Sequence, residues 1–195
     1  MGSKPQRFYT QALVIGLLTG SLAIFGEAHA KPALIVAIGA DNVYGHGTGR
    51  RNTGGVEPNE AFPAQLETLL RARGVDAHVV NAGIPRENTC EMLVRLDSTV
   101  PEGTRMVIVL PSYGNDKKSG VSKAEERSCM YKIEARLRAR HIAFFVLKHR
   151  EFKRIPGALA QRDDGHHWTV KGHAIVAHYL LPRVLAGLGG HTSNR

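Results

Sequence analysis

An aspartate, Asp164, followed three residues later by a histidine, His167, just ahead of a capped helical segment, is a pair with a definite chemistry. The carboxylate can accept one ring N–H, which fixes the imidazole tautomer and supports the ring when it gains a proton. Two other positions offer donors of the kind that stabilise a developing oxyanion: the backbone N–H of Gly83 and the side-chain amide of Asn115. What this set lacks is a hydroxyl nucleophile. The residue placed to supply it is Asp41, at the end of Leu34 to Asn42, LIVAIGADN, where an apolar run gives way to a glycine and then to small and polar residues. Ser112, Thr48 and Thr53 are the hydroxyls that can stand in.

These residues need elements to bring them together. Ala33 to Ile38, Val75 to Val80, Met106 to Leu110 and Ile142 to Leu147 read as four strands, the first an unbroken apolar run of the kind buried on both faces of a parallel sheet. Helices are predicted between them: Asn59 to Arg73 with Phe62, Leu66, Leu69 and Leu70 on one face, a short one from Asn88 or Thr89 to Asp97, and a long one capped by Ser122 with Glu125 completing a capping box. The long helix runs to about Arg140. A last helix, Val170 to about Ala186, is capped by Thr169, and Gly157 to Gln161 is a further helical turn. Strands alternating with helices imply a single-domain three-layer α/β/α fold with a flavodoxin-like parallel sheet. In such sheets the site lies beyond the carboxyl ends of the strands, which is where Asp41, Gly83 and Asn115 fall.

With the order of these blocks in view, the chain resembles the SGNH hydrolase superfamily, the GDSL-like lipases and esterases. The resemblance rests on Gly39-Ala-Asp-Asn42, Asn81-Ala-Gly83, Gly114-Asn-Asp116 and Asp164-Gly-His-His167, with similar flanking text at Ala61 to Leu66 and Leu93 to Asp97, and it covers nearly all of Lys31 to Leu185. It implies a serine nucleophile in the first block, oxyanion donors from that serine's N–H, Gly83 and Asn115, and a closing Asp164 and His167. Position 41 departs from it, and a carboxylate cannot perform ordinary serine acyl transfer. Three readings follow. The protein has lost its nucleophile and binds an anionic or carbonyl ligand in the old pocket, or Asp41 is itself a nucleophile or base, or another hydroxyl substitutes in an otherwise ordinary esterase or thioesterase acting on a small ester or acyl substrate.

The remaining features bound these readings. Residues 1–30 carry Lys4 and Arg7, an apolar stretch from Ala12 to Phe25, and Ala28-His29-Ala30, the pattern of a signal peptide that leaves a periplasmic or secreted domain over 31–187, a flexible tail over 188–195 and no stable membrane anchor. Of 26 Lys and Arg residues only Lys4 and Arg7 precede Lys31, and of 17 Asp and Glu only Glu27 does, so the exported part is strongly basic. Its cations are dispersed, without interleaved aromatics, which argues against nucleic acid. Cys90 and Cys129 either bridge in an oxidising compartment or are two buried thiols; the resemblance places their helices side by side.

Several residues carry two readings. His46, His149, His166 and His173 offer metal ligands near Asp41 or Asp164, or are surface histidines; no metal or cofactor is expected. Asp163 competes with Asp164, and the spacing to His167 favours Asp164. Trp168 and Tyr113 line a substrate pocket, or Trp168 wedges the last helix against the sheet. Asn42 contacts substrate or holds the first turn. Gly39 to Gly55 is long enough for a functional loop.

Overall fold

The apolar runs become strands paired in parallel in the order β2-β1-β3-β4: β1 (Ala33–Gly39), β2 (Ala77–Gly83), β3 (Thr104–Val109) and β4 (Ala143–Val146). The computed structural model describes residues 2, 31–46, 55–152, 155 and 166–189. Asp163, Asp164, Thr48, Thr53 and the turn expected at Gly157 to Gln161 lie outside them, as does most of the loop from Gly39 to Gly55.

Between and after the strands lie α1 (Asp41–Tyr44), α2 (Phe62–Arg71), α3 (Thr89–Thr99), α4 (Tyr113–Lys118), α5 (Lys123–Ala139), α6 (His149–Phe152) and α7 (Val170–Gly189). One face of the sheet packs Ile35, Ala37 and Ile108 against Phe62 and Leu66 of α2 and Val176 and Leu180 of α7. The other packs Val36, Ile38 and Val107 against Met92 and Leu96 of α3 and Ile133 and Leu137 of α5. Successive β1 side chains alternate between two cores, so the run must be apolar throughout.

The order in which strands are added reverses at β1: β2 lies on one side of it and β3 on the other, all parallel. A crevice at the carboxyl ends of β1 and β3 is the ligand position that this topology creates. Asp41 follows β1 directly, and Asn115 lies on α4 just past β3.

Several boundaries differ from the sequence expectation. α2 starts at Phe62 rather than Asn59, since Pro63 suits a first turn and Glu57 to Glu60 form a separate one. β2 is shifted toward its carboxyl end, where Asn81 to Gly83 pair with Ala37 to Gly39 of β1. α7 continues through Gly189, because Leu188 is buried in the core; the tail expected from 188 is helical for its first two residues.

The outer margin of β2 is occupied from within the chain. Glu67 on α2 accepts the Val79 N–H at 2.7 Å and pairs with the His78 ring at 3.0 Å, and Asn81 Oδ1 accepts the Gly83 N–H at 3.1 Å. On the opposite face Cys90 of α3 and Cys129 of α5 form a disulfide.

Candidate active site

Gly39 and Gly83 are register partners at the ends of β1 and β2. A Cβ on Gly39 would run into Val43, and one on Gly83 into the backbone of Tyr44. The two absent side chains let α1 settle on the sheet end, which sets Asp41 over the crevice.

Asp41 is largely enclosed and fully engaged. Asn115 Nδ2 donates to its Oδ2 at 2.7 Å, the Arg86 N–H donates to its Oδ1 at 3.2 Å, and His167 Nε2 stands 3.9 Å from Oδ1. Burial pushes the carboxyl up, but interactions with His167, Asn115 and the backbone N–H groups of Asp41 itself and Arg86 outweigh it and hold the group well below the usual carboxylate range. The residue is therefore a carboxylate across the ordinary pH range.

The Arg86 N–H was not anticipated. It belongs to a turn in which Glu87 N–H reaches Ile84 O at 3.3 Å, with Pro85 second and Arg86 third at φ 67°. Glycine usually takes that third place, and a side chain there costs about 1 kcal/mol. The turn is braced from α3. Arg95, through Nε and one terminal nitrogen, grips the buried Glu87 carboxylate at both oxygens, and the same terminal nitrogen reaches Ala82 O at 2.8 Å and Gly39 O at 3.4 Å. Glu87 O in turn accepts from Asn115 Nδ2 at 3.2 Å. One guanidinium thus ties both strand ends to the turn that addresses Asp41 and Asn115. Proline in Ile84-Pro85-Arg86-Glu87 was the available signal.

Asn42 holds the chain around His167. Its Nδ2 donates to His166 O at 3.1 Å and its Oδ1 accepts the Trp168 N–H at 3.2 Å, so one side chain clamps both neighbours of His167. Trp168 is 2% exposed and packs edge-on against Phe62 and His173, the arrangement of the second of its two readings: it wedges α7 against α2. His173 Nδ1 accepts the Phe62 N–H at 3.1 Å, satisfying a donor at the start of α2. Its role is structural.

Gly83 stands next to α1, but its N–H is taken by Asn81; the backbone donor that reaches Asp41 comes from Arg86. Asp116 is buried with its carboxylate on the N–H and hydroxyl of Thr89, at 2.7 and 2.8 Å, so it fastens α4 to α3. The Thr89 hydroxyl also accepts the Ser112 N–H at 3.3 Å. Tyr113 opens α4 and lines a cavity whose lining does not include Asp41. The His46 ring lies edge-on to His167 at 6.3 Å. No group of three His, Cys, Asp or Glu residues suited to a metal ion occurs among the described residues.

No family model matches the chain, and neither does any curated protein. Solved structures do. AlinE4, described as an SGNH-hydrolase family esterase, is 25% identical over 82% of this chain and 98% of that one, with a TM-score of 0.54. An aspartate-to-alanine variant of the same esterase aligns at 30% identity over 60% of this chain and 59% of that one, with a TM-score of 0.50. The chain is thus similar in sequence and fold to SGNH-hydrolase family esterases. The psychrotrophic esterase EstA from Pseudoalteromonas sp., 13% identical, covers 80% of this chain and 99% of that one with a TM-score of 0.65, a likeness of fold. Among SGNH hydrolases an esterase-like function is thus supported, in a chain whose first block carries an aspartate.

Proposed function

We propose that this chain is an exported, esterase-like SGNH protein that receives a small ester or acyl compound beside Asp41 but does not carry out serine-type acyl transfer. One observation carries the reading: the 2.7 Å bond from Asn115 Nδ2 to Asp41 Oδ2. An acyl oxygen gains negative charge in the transition state and needs donors aimed at it. Here the amide serves a permanent anion, and a second negative charge next to it is repelled in a largely enclosed place. The fixed carboxylate favours a neutral carbonyl or hydroxyl-bearing ligand over an anionic one. Export is supported by the basic, apolar and small-residue order of residues 1–30, by the disulfide, and by the absence, among the described residues, of a helix long and apolar enough to cross a membrane.

The test is hydrolysis of p-nitrophenyl butyrate by the purified exported protein, by His167→Ala, by Asp41→Ser and by Asp41→Ser/His167→Ala. The natural chain is expected to run at the uncatalysed rate. Asp41→Ser should gain about 100-fold or more, since an oxyanion donor alone contributes that order, and His167→Ala should remove the gain. Turnover by the natural chain that vanishes with His167→Ala sinks the binding reading.

That second outcome would favour Asp41 as nucleophile, a reading supported by its ionised state 3.9 Å from His167 Nε2. Its carboxylate oxygen would bond to the acyl carbon as the bond to the alcohol oxygen breaks and protonated His167 gives that oxygen its proton, leaving the ring neutral. Water, deprotonated by His167, would then attack the Asp41 carbonyl carbon of the anhydride, expelling the acyl carboxylate and leaving a water oxygen in the restored Asp41 carboxylate. Heavy-oxygen water in a single turnover would label Asp41 in this case alone.

A further inference from the structure

Helix α4 has two occupied faces. Asn115 turns to Asp41, while Tyr113 and Lys117 line a cavity of about 940 Å³ bounded by α4, the first half of α5 and the carboxyl end of β4. Asp41, Asn115 and His167 are not among its lining residues. Its volume falls in the range of sites for small organic ligands.

The lining divides by chemistry. Pro111, Val121, Met130 and Val146 give an apolar floor, and Tyr131 stands largely exposed at the side. Lys117, Lys123, Arg127 and Lys148 give an exposed cationic rim, and none of the four forms a salt bridge with a described carboxylate. The lining also holds three carboxylates. Glu134 is paired with Arg138, whereas Asp116, held by the neutral Thr89 N–H and hydroxyl, keeps its charge and with burial pushes Glu126 up. Four cations thus face two carboxylates without an ion-pair partner, and the rim keeps a cationic excess.

We propose that this cavity is a second binding site, for a single-chain alkyl carboxylate whose chain lies on the Pro111, Val121, Met130 and Val146 floor and whose head group meets the lysines and arginine of the rim. An apolar floor without convergent polar groups selects a hydrocarbon chain, and dispersed point charges on flexible stems select an anion without demanding one geometry. The proposal stands apart from the reading of Asp41 and does not require turnover there.

Decanoate, below the concentration at which it forms micelles, is titrated calorimetrically into the exported protein. One-site binding is expected, about tenfold tighter than octanoate for the two added methylenes. The triple variant Lys117→Gln/Arg127→Gln/Lys148→Gln should weaken it about tenfold, the range for three exposed charge contacts. Val121→Trp should abolish it by filling the floor, with circular dichroism confirming the fold, and Asp41→Ala should leave it unchanged. Decyltrimethylammonium, with the same chain and opposite charge, should not compete.

Four results overturn the proposal: no decanoate binding; binding strengthened in Asp41→Ala and unchanged in the triple variant, which puts the ligand in the Asp41 crevice; equal competition by decyltrimethylammonium; or sedimentation with phosphatidylglycerol vesicles through the same cations without decanoate binding, which makes the rim a membrane-facing surface.

Discussion

Asp41 takes up hydrogen-bonding capacity that a hydrolase reserves for its substrate, and that has a pH signature. Its folded pKa lies below the unfolded value, so its contribution to stability is complete above about pH 4 and is lost as pH falls through the folded value. Relative to Asp41→Asn, the natural protein should lose unfolding free energy between pH 4 and pH 2, a window set by the unfolded aspartate value, with the difference constant above it; urea titrations across that range measure it. The type and place of Asp41, Asn115 and His167 were legible because each follows an apolar run or precedes a capped helix. Arg86 was not, since its contribution is a backbone N–H that any residue carries. Asn42 and Trp168 kept two readings in the sequence for a related reason: a polar or aromatic side chain beside a site reads as substrate contact or as support, and only the partners of its atoms show which neighbours it holds.

The long elements followed from periodicity, whereas α1 and α4 did not, because four and six residues are too few to display a helical repeat. Those two short helices carry Asp41 and Asn115, so the parts least visible in the sequence are the ones that aim the site. The turn from Ile84 to Glu87 shows the same dependence on a remote element. Arg95 on α3 neutralises Glu87 where little water reaches, and removing it strands a buried carboxylate. Arg95→Met is expected to cost about 3–5 kcal/mol of stability, and adding Glu87→Gln should return part of that loss; chemical denaturation of the two variants against the natural chain measures both.

At the scale of the molecule, the α/β class and the parallel sheet were readable from alternation alone, but the pairing order and the cysteine pairing were not. The disulfide joins α3 and α5 across a sequence separation of 39 residues. Closing a loop of that length stabilises by about 4 kcal/mol on the chain-entropy account. Cys90→Ser/Cys129→Ser should lower the unfolding free energy by about that amount in urea titration, and the untreated natural protein should yield no alkylated thiol by intact mass.

The margin of β2 has a consequence for how copies of this protein treat one another. An edge strand presents a row of amides on which a second molecule can extend the sheet, the first step toward fibrous association. In this row Val79 already donates to Glu67 and Gly83 to Asn81, and the Glu67 carboxylate adds charge in the path of an incoming strand. A foreign strand would have to break both bonds and bury that charge before gaining its own ladder. Resistance to edge-to-edge aggregation is therefore built into one glutamate of α2 and one asparagine of β2 itself.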